Sequence, residues 1–409
     1  MSFSIRVLAV LLLAAGISAG AEVDGVTVSG QPAPRLAPFD QLVARLMQQF
    51  HIPGAALAVA RDGRLVLAHG YALPNADAVQ PDALFRIASL SKAFTAAAVM
   101  QLVERGKLRL DDHPFDLLKL GNPTDARLRR ITIRNLLQHT GGWDRDQAFD
   151  PMFIPAKAAN AVGAPVPASC ETVIRYMLTQ PLQSDPGTKY AYSNFGYCVL
   201  GRVIEKVTGE RYDAFVKRSV LAPAGISRMR VGHSLASGRA PGEVCYFDYP
   251  GAPEVRSIFP DFPGMVPRPY GGWHLEAMDS HGGWIASAVD ILRFLLHLDG
   301  HLAPRVVRED SVKEMIARPA GNVATDPDTW YGFGLQVRKV GNDANWWHTG
   351  SLDGTATLMV RTSQGMHWAL LFNSRPQRGG IANEMDTGLW KAARAVEQWP
   401  AHDLFPSFE

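Results

Sequence analysis

Cysteine is scarce in this chain, three among 409 residues, and no stretch is strongly basic or long and apolar. An odd count permits at most one internal disulfide. Cys198 sits at helical spacing with Val199, Leu200, Val203 and Ile204 and reads as a buried thiol, which leaves Cys170 with Cys245 as the pair to consider. None of the three stands beside an obvious histidine partner, so a cysteine nucleophile is disfavoured. Lysine and arginine number 41 against 39 acidic residues, a net charge of +2 with no Lys/Arg-rich run. That leaves nothing to clamp a phosphate backbone and argues against nucleic acid as a partner. The twelve histidines are scattered without a His-Glu-x-x-His or a comparable cluster, so neither a metal nor a cofactor is expected. The partner class that remains is a small molecule or a peptide.

At the N-terminus, Arg6 precedes the apolar run Val7 to Ala15, and small residues ending Ala19-Gly20-Ala21 follow. This is the three-part layout of a secretory signal, with cleavage expected after Ala21 and a periplasmic or secreted mature protein. The run is far shorter than the roughly 20 residues that span a bilayer, and no later one is long enough, so no stable membrane insertion is expected once the signal is removed. No cysteine follows the run, and a lipid anchor is not indicated.

A chain of this length, 47% hydrophobic, can bury a large core. Leu36 to Phe50 repeats apolar residues helically, and Gly54 to Tyr71 reads as two strands joined at Asp62-Gly63. Near the other end, Tyr331 to Val340, Ala344 to Ser351, Thr355 to Arg361 and Met366 to Asn373 read as strands with short breaks, followed by a helix over Glu384 to Glu397. Short breaks imply antiparallel pairing. Between the two ends lie helical segments, including Ser91 to Arg105, Ile133 to His139, Glu171 to Thr179 and Phe195 to Lys206, and a Pro/Gly-rich stretch from Ser234 to Gly272. The expected architecture is an α/β domain with an antiparallel sheet flanked by helices, built from 36–110 plus 275–400, with a mainly helical domain inserted at 111–274. A ligand cleft at the seam between them would be ordinary.

Three short patterns carry chemistry. Ser89 opens an apolar helical segment with Lys92 one turn on, so the two share a helix face. A serine hydroxyl needs a proton acceptor before it attacks, and a desolvated lysine can be one. The pattern alone is expected by chance about once in a chain this long, and its plain reading is a helix cap beside a solvated lysine. Tyr192-Ser193-Asn194 presents a phenol that can shuttle protons and an amide that can orient a carbonyl, on one side of an extended stretch. Asn194 also suits a helix cap, and Tyr190 is the competing tyrosine. His348-Thr349-Gly350-Ser351 ends a strand, where glycine allows close approach and a strand-edge N–H can meet an oxyanion. His348 would supply a cation or a donor near pH 7. A second copy, His139-Thr140-Gly141, follows a helix and fits a helix stop, a structural role.

Ser89-x-x-Lys92, Tyr192-x-Asn194 and His348-Thr349-Gly350, in that order, resemble the penicillin-recognising serine hydrolases, nearest to class C β-lactamases and the D-Ala-D-Ala carboxypeptidase and D-aminopeptidase group. The likeness runs from about Phe39 to Trp390 and takes in Leu136 to Gly142 and Gly282 to Ser287. It implies the split α/β fold with an inserted helical domain. It also implies Ser89 as the acyl-enzyme, Lys92 and Tyr192 handling its proton, and Asn194 holding the substrate amide. Backbone N–H groups of Ser89 and Ser351 would form the oxyanion hole, with His348 and Thr349 near a substrate carboxylate. Class C enzymes usually carry lysine where this chain has His348, and some D-peptidases and esterase-like members carry histidine. The resemblance therefore implies peptide or ester substrates ahead of β-lactams.

Rival chemistries lack their marks. No Gly-x-Ser-x-Gly pentad occurs, and His281-Gly282-Gly283 only superficially copies an oxyanion loop of the α/β-hydrolases. A non-catalytic or single-turnover penicillin-binding or sensing module is the alternative, and it would want a spanning helix or an appended domain, neither of which is visible in the sequence. Specificity is expected in the irregular segments Trp143 to Ala168 and Ser234 to Gly272. No motif speaks to oligomeric state.

Overall fold

Asp62 and Gly63 both take positive φ, 48° and 80°, and turn the chain between two long strands. In the computed structural model, which describes residues 21–409 apart from 322 and 325, the N-terminal part supplies β1 (Ala21–Val23), β2 (Val26–Gly30), β3 (Gly54–Arg61) and β4 (Arg64–Ala72). The C-terminal part supplies β5 (Thr329–Tyr331), β6 (Gln336–Val340), β7 (Asp343–Leu352), β8 (Thr355–Arg361) and β9 (Met366–Phe372). Among the described residues they form a nine-stranded sheet in the order β1-β2-β4-β3-β9-β8-β7-β6-β5. Every neighbouring pair is antiparallel. The two halves join where β3 pairs with β9, Ala58 opposite Ala369. The Gly54 N–H adds a bond to Asn373 Oδ1 at 2.8 Å, 319 residues away.

β3 is apolar along almost its whole length because both of its faces are covered. Five helices do most of the covering and positioning: α1 (Ala37–Phe50), α2 (Ser91–Glu104), α3 (Asn194–Thr208), α4 (Ala288–Asp299) and α5 (Ile381–Ala395). Successive side chains of a strand point to opposite faces. Thus Ala55, Leu57 and Val59 join a core with Phe39, Val43 and Met47 of α1 and Met385 and Leu389 of α5. Ala56, Ala58 and Ala60 join a second core with Phe94 and Ala97 of α2 and Leu292 and Leu295 of α4. Small alanines on that second face let α2 and α4 lie close to the sheet. α2 has no exposed stripe at its start: Ser91 through Leu102 are all buried, because the helix runs between the sheet and the helical middle of the chain.

An antiparallel sheet flanked by helices agrees with the expected fold class. The structure corrects one local expectation and answers two points that the sequence leaves open. Tyr331 to Val340 is two strands, β5 and β6, folded back on each other at Gly332-Phe333-Gly334. Gly334 has φ of 70°, and a Cβ there would lie 2.6 Å from the Lys92 carbonyl oxygen, so glycine lets this turn press against α2. Asn194 does not cap α3; Ser193 does, its side chain accepting the Gly196 N–H at 3.2 Å. Cys170 and Cys245 are both free thiols, and Cys170 lies next to Cys198, whose Sγ is 3.9 Å from the Cys170 carbonyl oxygen. The expected export segment lies, Ala21 apart, outside the described residues. Among the described residues no helix is long and apolar enough to cross a membrane.

Candidate active site

A short three-stranded sheet brings the first parts of the site together. Phe85–Arg86 pairs with Trp284–Ala286, which pairs in turn with Arg230–Val231. The chain leaves Arg86 through a tight turn at Ala88–Leu90, with Ala88 at φ 47°, and enters α2 at Ser91. Ser89 therefore faces the cleft from a helix start while Lys92, one turn on, is drawn into the interior with the rest of α2. Lys92 is fully buried. Its Nζ lies 3.0 Å from Ser89 Oγ, 2.8 Å from Asn194 Oδ1 and 2.8 Å from the His281 carbonyl oxygen.

Burial holds the Lys92 ammonium well below the usual lysine range, Asp150 opposing the shift and Arg145 adding to it. A neutral amine has two N–H bonds and one lone pair. The carbonyl oxygens of Asn194 and His281 can only accept, so they take the two N–H groups and turn the lone pair toward Ser89 Oγ. That is the orientation a proton acceptor needs.

Tyr192 faces the same point, its ring centre 4.9 Å from Lys92 Nζ. Burial raises its phenol, and the polar contact with Ser89 only partly offsets this, so it is a protonated donor rather than a phenolate at ordinary pH. Tyr190 also lines the cleft but is half-exposed at its mouth. Asn194 uses its amide on both sides: Oδ1 receives Lys92 and Nδ2 donates to Asp150 Oδ2 at 2.6 Å. One amide N–H remains for a substrate carbonyl.

His348 is brought to the site, with its ring centre 6.3 Å from that of Tyr192, and of the two roles expected of it, cation or donor, its contacts fit the donor. It is 1% exposed. Nδ1 is 2.6 Å from the Thr349 carbonyl oxygen and so must donate, and Nε2 accepts from the Tyr331 hydroxyl at 2.9 Å. Burial first, then the charge of Lys92, pushes the imidazole down to about 3. Positive charge at the cleft comes instead from Arg145, Arg268 and Arg375, with Asp353 the carboxylate among them. Arg375 donates to Ser351 Oγ at 3.0 Å and to Asp353. These arginines sit in irregular segments whose place in the fold no periodicity reveals.

Thr349 and Ser351 line the cleft with Ser89 and Ala88. Gly350 has a different task from the expected ligand approach. A Cβ there would lie 2.2 Å from Thr357 Oγ1 and 2.5 Å from the Ile87 carbonyl oxygen, so glycine lets β7 meet the turn that carries Ser89. Gly350→Ala is expected to cost about 2–3 kcal/mol of stability and to depress turnover by displacing that turn. Thermal melting alongside initial rates checks both. The second His-Thr-Gly keeps its structural role: His139 has φ of 57°, accepts the Ser193 N–H at 3.2 Å through Nδ1 and packs its ring 4.2 Å from that of Tyr192.

The cleft encloses about 690 Å³. One histidine grouping escaped the sequence: Asp299, His301 and His367 hold ligand-type atoms within 4.8 Å of one another. They already hydrogen-bond among themselves, and Arg361 donates to the same carboxylate, which makes the group a charge-paired brace. None of the three lines the cleft.

Comparison with known proteins yields both sequence relatives and similar folds. The chain is 30% identical over 366 residues to penicillin-binding protein 4 of Amycolatopsis lactamdurans, covering 85% of this chain and 86% of that relative. Its fold is similar to that of EstCE1, a hydrolase with promiscuous acyltransferase activity (TM-score 0.68, 21% identity, 90% of this chain and 100% of that one). It is similar also to D-amino acid amidase from Ochrobactrum anthropi SV3 (TM-score 0.64, 21% identity, 89% and 97%). With the Beta-lactamase family model matching residues 39–386, the chain belongs to the Beta-lactamase family of serine hydrolases.

Proposed function

We propose that the protein hydrolyses amide or ester bonds of small substrates that carry an anionic group, D-amino-acid peptides foremost, through an acyl-enzyme on Ser89. The observation that carries the reading is the fully buried Lys92, its Nζ held between two carbonyl oxygens, of Asn194 and His281, and 3.0 Å from Ser89 Oγ. In acylation the Ser89 proton passes to Lys92 Nζ as Oγ bonds to the substrate carbonyl carbon. The oxygen of that carbonyl gains charge between the backbone N–H groups of Ser89 and Ser351. As the intermediate collapses, the Tyr192 hydroxyl gives its proton to the departing nitrogen or oxygen and is refilled from the Lys92 ammonium. Water then repeats the sequence on the acyl carbon and returns the proton to Ser89. The names of the relatives, a penicillin-binding protein, a D-amino acid amidase and an acyl-transferring hydrolase, support acyl transfer to small acceptors. The secretory pattern before residue 22 supports action outside the cytoplasm.

A turnover panel of a short-chain aryl ester, a chromogenic cephalosporin, a D-Ala-D-Ala peptide and a D-amino-acid amide tests the reading. Multiple turnovers of the peptide or ester are expected, with slow release from the cephalosporin. A single burst on every substrate would instead mark a sensing module. Recognition of the anionic group falls to Arg375 rather than His348. Arg375→Met is expected to raise KM for carboxylate-bearing substrates about 30-fold, the loss of a charged hydrogen bond, and to leave neutral esters little changed. KM for the carboxylate substrates should stay flat from pH 5.5 to 8, because His348 is neutral throughout that window. A KM that climbs as pH passes 6.5 would restore His348 as the anion's partner.

A further inference from the structure

Two residues of the segment after Gly142 close a polar ring around the base. Asp150 Oδ2 accepts from Asn194 Nδ2 at 2.6 Å, and Asn194 Oδ1 accepts from Lys92 Nζ at 2.8 Å. On the other side the guanidinium carbon of Arg145 lies 4.8 Å from the centre of the Tyr192 ring. Arg145 Nη1 stands 3.9 Å from Asp150 Oδ2, which completes the ring. One short loop thus sends a cation to the phenol and an anion to the amide that holds the lysine. Asp150 is fixed in place, its Oδ1 taking the Met152 N–H at 3.1 Å. Arg145 is half-exposed and lines the cleft.

We propose that Arg145 and Asp150 are positioning residues of the acyl transfer, an opposed pair of charges that sets how readily Lys92 takes and returns the Ser89 proton. The proposal rests on the acyl-enzyme reading of Ser89. Around Lys92 stand Ser89, Asn194, the His281 carbonyl and the rings of Tyr192 and Tyr197. The imidazoles of His139, His281 and His348 face it too, and burial holds all three in the neutral form. Tyr192 and Tyr197 are likewise held neutral by burial. The formal charges acting on the amine are therefore Asp150, which favours the ammonium, and Arg145, which disfavours it. With the anion alone the lysine would keep its proton and fail as an acceptor. With the cation alone it would hold the Ser89 proton too weakly in the transition state.

The test is the pH dependence of Ser89 acylation by an uncharged fluorophosphonate, which removes any contribution of substrate charge. Full-length wild type, Arg145→Met, Asp150→Asn and the double variant are compared. The acid limb of the rate is expected to move up by about one pH unit in Arg145→Met and down by about one in Asp150→Asn, the size of shift a nearby charge produces. The double variant should return close to wild type, and Arg145→Lys should hold the wild-type limb. A limb unmoved by Arg145→Met, or one shifted the same way by both single changes, overturns the proposal. Should Asp150→Asn fail to fold, the Arg145→Met and Arg145→Lys pair decides alone. Wild-type protein that takes no label would overturn the acyl-enzyme reading instead.

Discussion

Ser89→Ala is expected to lower turnover of activated esters at least about 10⁴-fold, as loss of a nucleophile does in hydrolases that act through one. The fold should survive. Ser89 Oγ makes side-chain polar contacts with Lys92 and Tyr192, and Lys92 keeps Asn194 and the His281 carbonyl when the hydroxyl is gone. Melting within about 1 kcal/mol of wild type is expected for removal of a single half-buried hydroxyl. Peptide mapping after a serine-directed phosphonate should find the adduct on Ser89. An adduct on another serine, or an alanine variant that keeps its activity, would move the chemistry elsewhere.

The second large effect separates catalysis from stability. Lys92→Met keeps the length and apolar character of the stem and removes the amine, so kcat/KM is expected to fall about 10³-fold, the range ascribed to a positioned general base. The same change should not lower the melting temperature. In the unfolded chain lysine is charged at neutral pH, whereas in the fold burial drives Lys92 toward the neutral amine. The unfolded state therefore holds this proton more tightly than the fold does, so stability rises with pH toward the ordinary lysine range and burial of the amine costs stability below it. Methionine removes that cost, offset in part by leaving the Asn194 and His281 oxygens without their donor. Wild-type kcat/KM should rise with pH as the base is freed, and in the methionine variant that limb should vanish. A variant that melts far below wild type would mean that Lys92 is charged in the fold.

The three histidines buried near Lys92 add an acid sensitivity of their own. His139, His281 and His348 are all held below the ordinary imidazole range by burial. Below pH 6.5 the unfolded chain takes up protons there that the folded protein refuses, so the histidines' share of stability is fully present above 6.5 and is lost as pH falls below it. Melting temperatures at pH 7.5, 6 and 5 are expected to fall in that order. Replacing His348 with glutamine should flatten the slope.

Much of this was legible because its signals are local. Helix periodicity, Asp-Gly turns and alternating strands are written in consecutive residues, and each of the three short motifs spans no more than four of them. What escaped was whatever the third dimension assembles. Arg145 and Asp150 lie in a segment without period, and nothing in their neighbours announces that they reach Tyr192 and Asn194. The choice between cation and donor at His348 is hidden for the same reason. A strand-end histidine is solvated by default, and only the Tyr331 hydroxyl and the Thr349 carbonyl, together with full burial, make it neutral. Gly332 and Gly334 hid a hairpin inside what looked like one strand, since two glycines with one residue between them do not by themselves tell a turn from a bulge. Gly350 was recognised as a place of close approach, but the thing approaching is the chain's own nucleophile turn.

The β3 to β9 pairing has a consequence for how the molecule comes into being. The hairpin translated early has its central edge unsatisfied until the closing strand emerges, so a ribosome-bound chain carries an open, sticky rim through most of its synthesis. Closure over so long a span is slow, since the entropy of bringing distant segments together precedes any reward from the contact. α2, wedged against that sheet, gains its dry environment only when this last pairing closes.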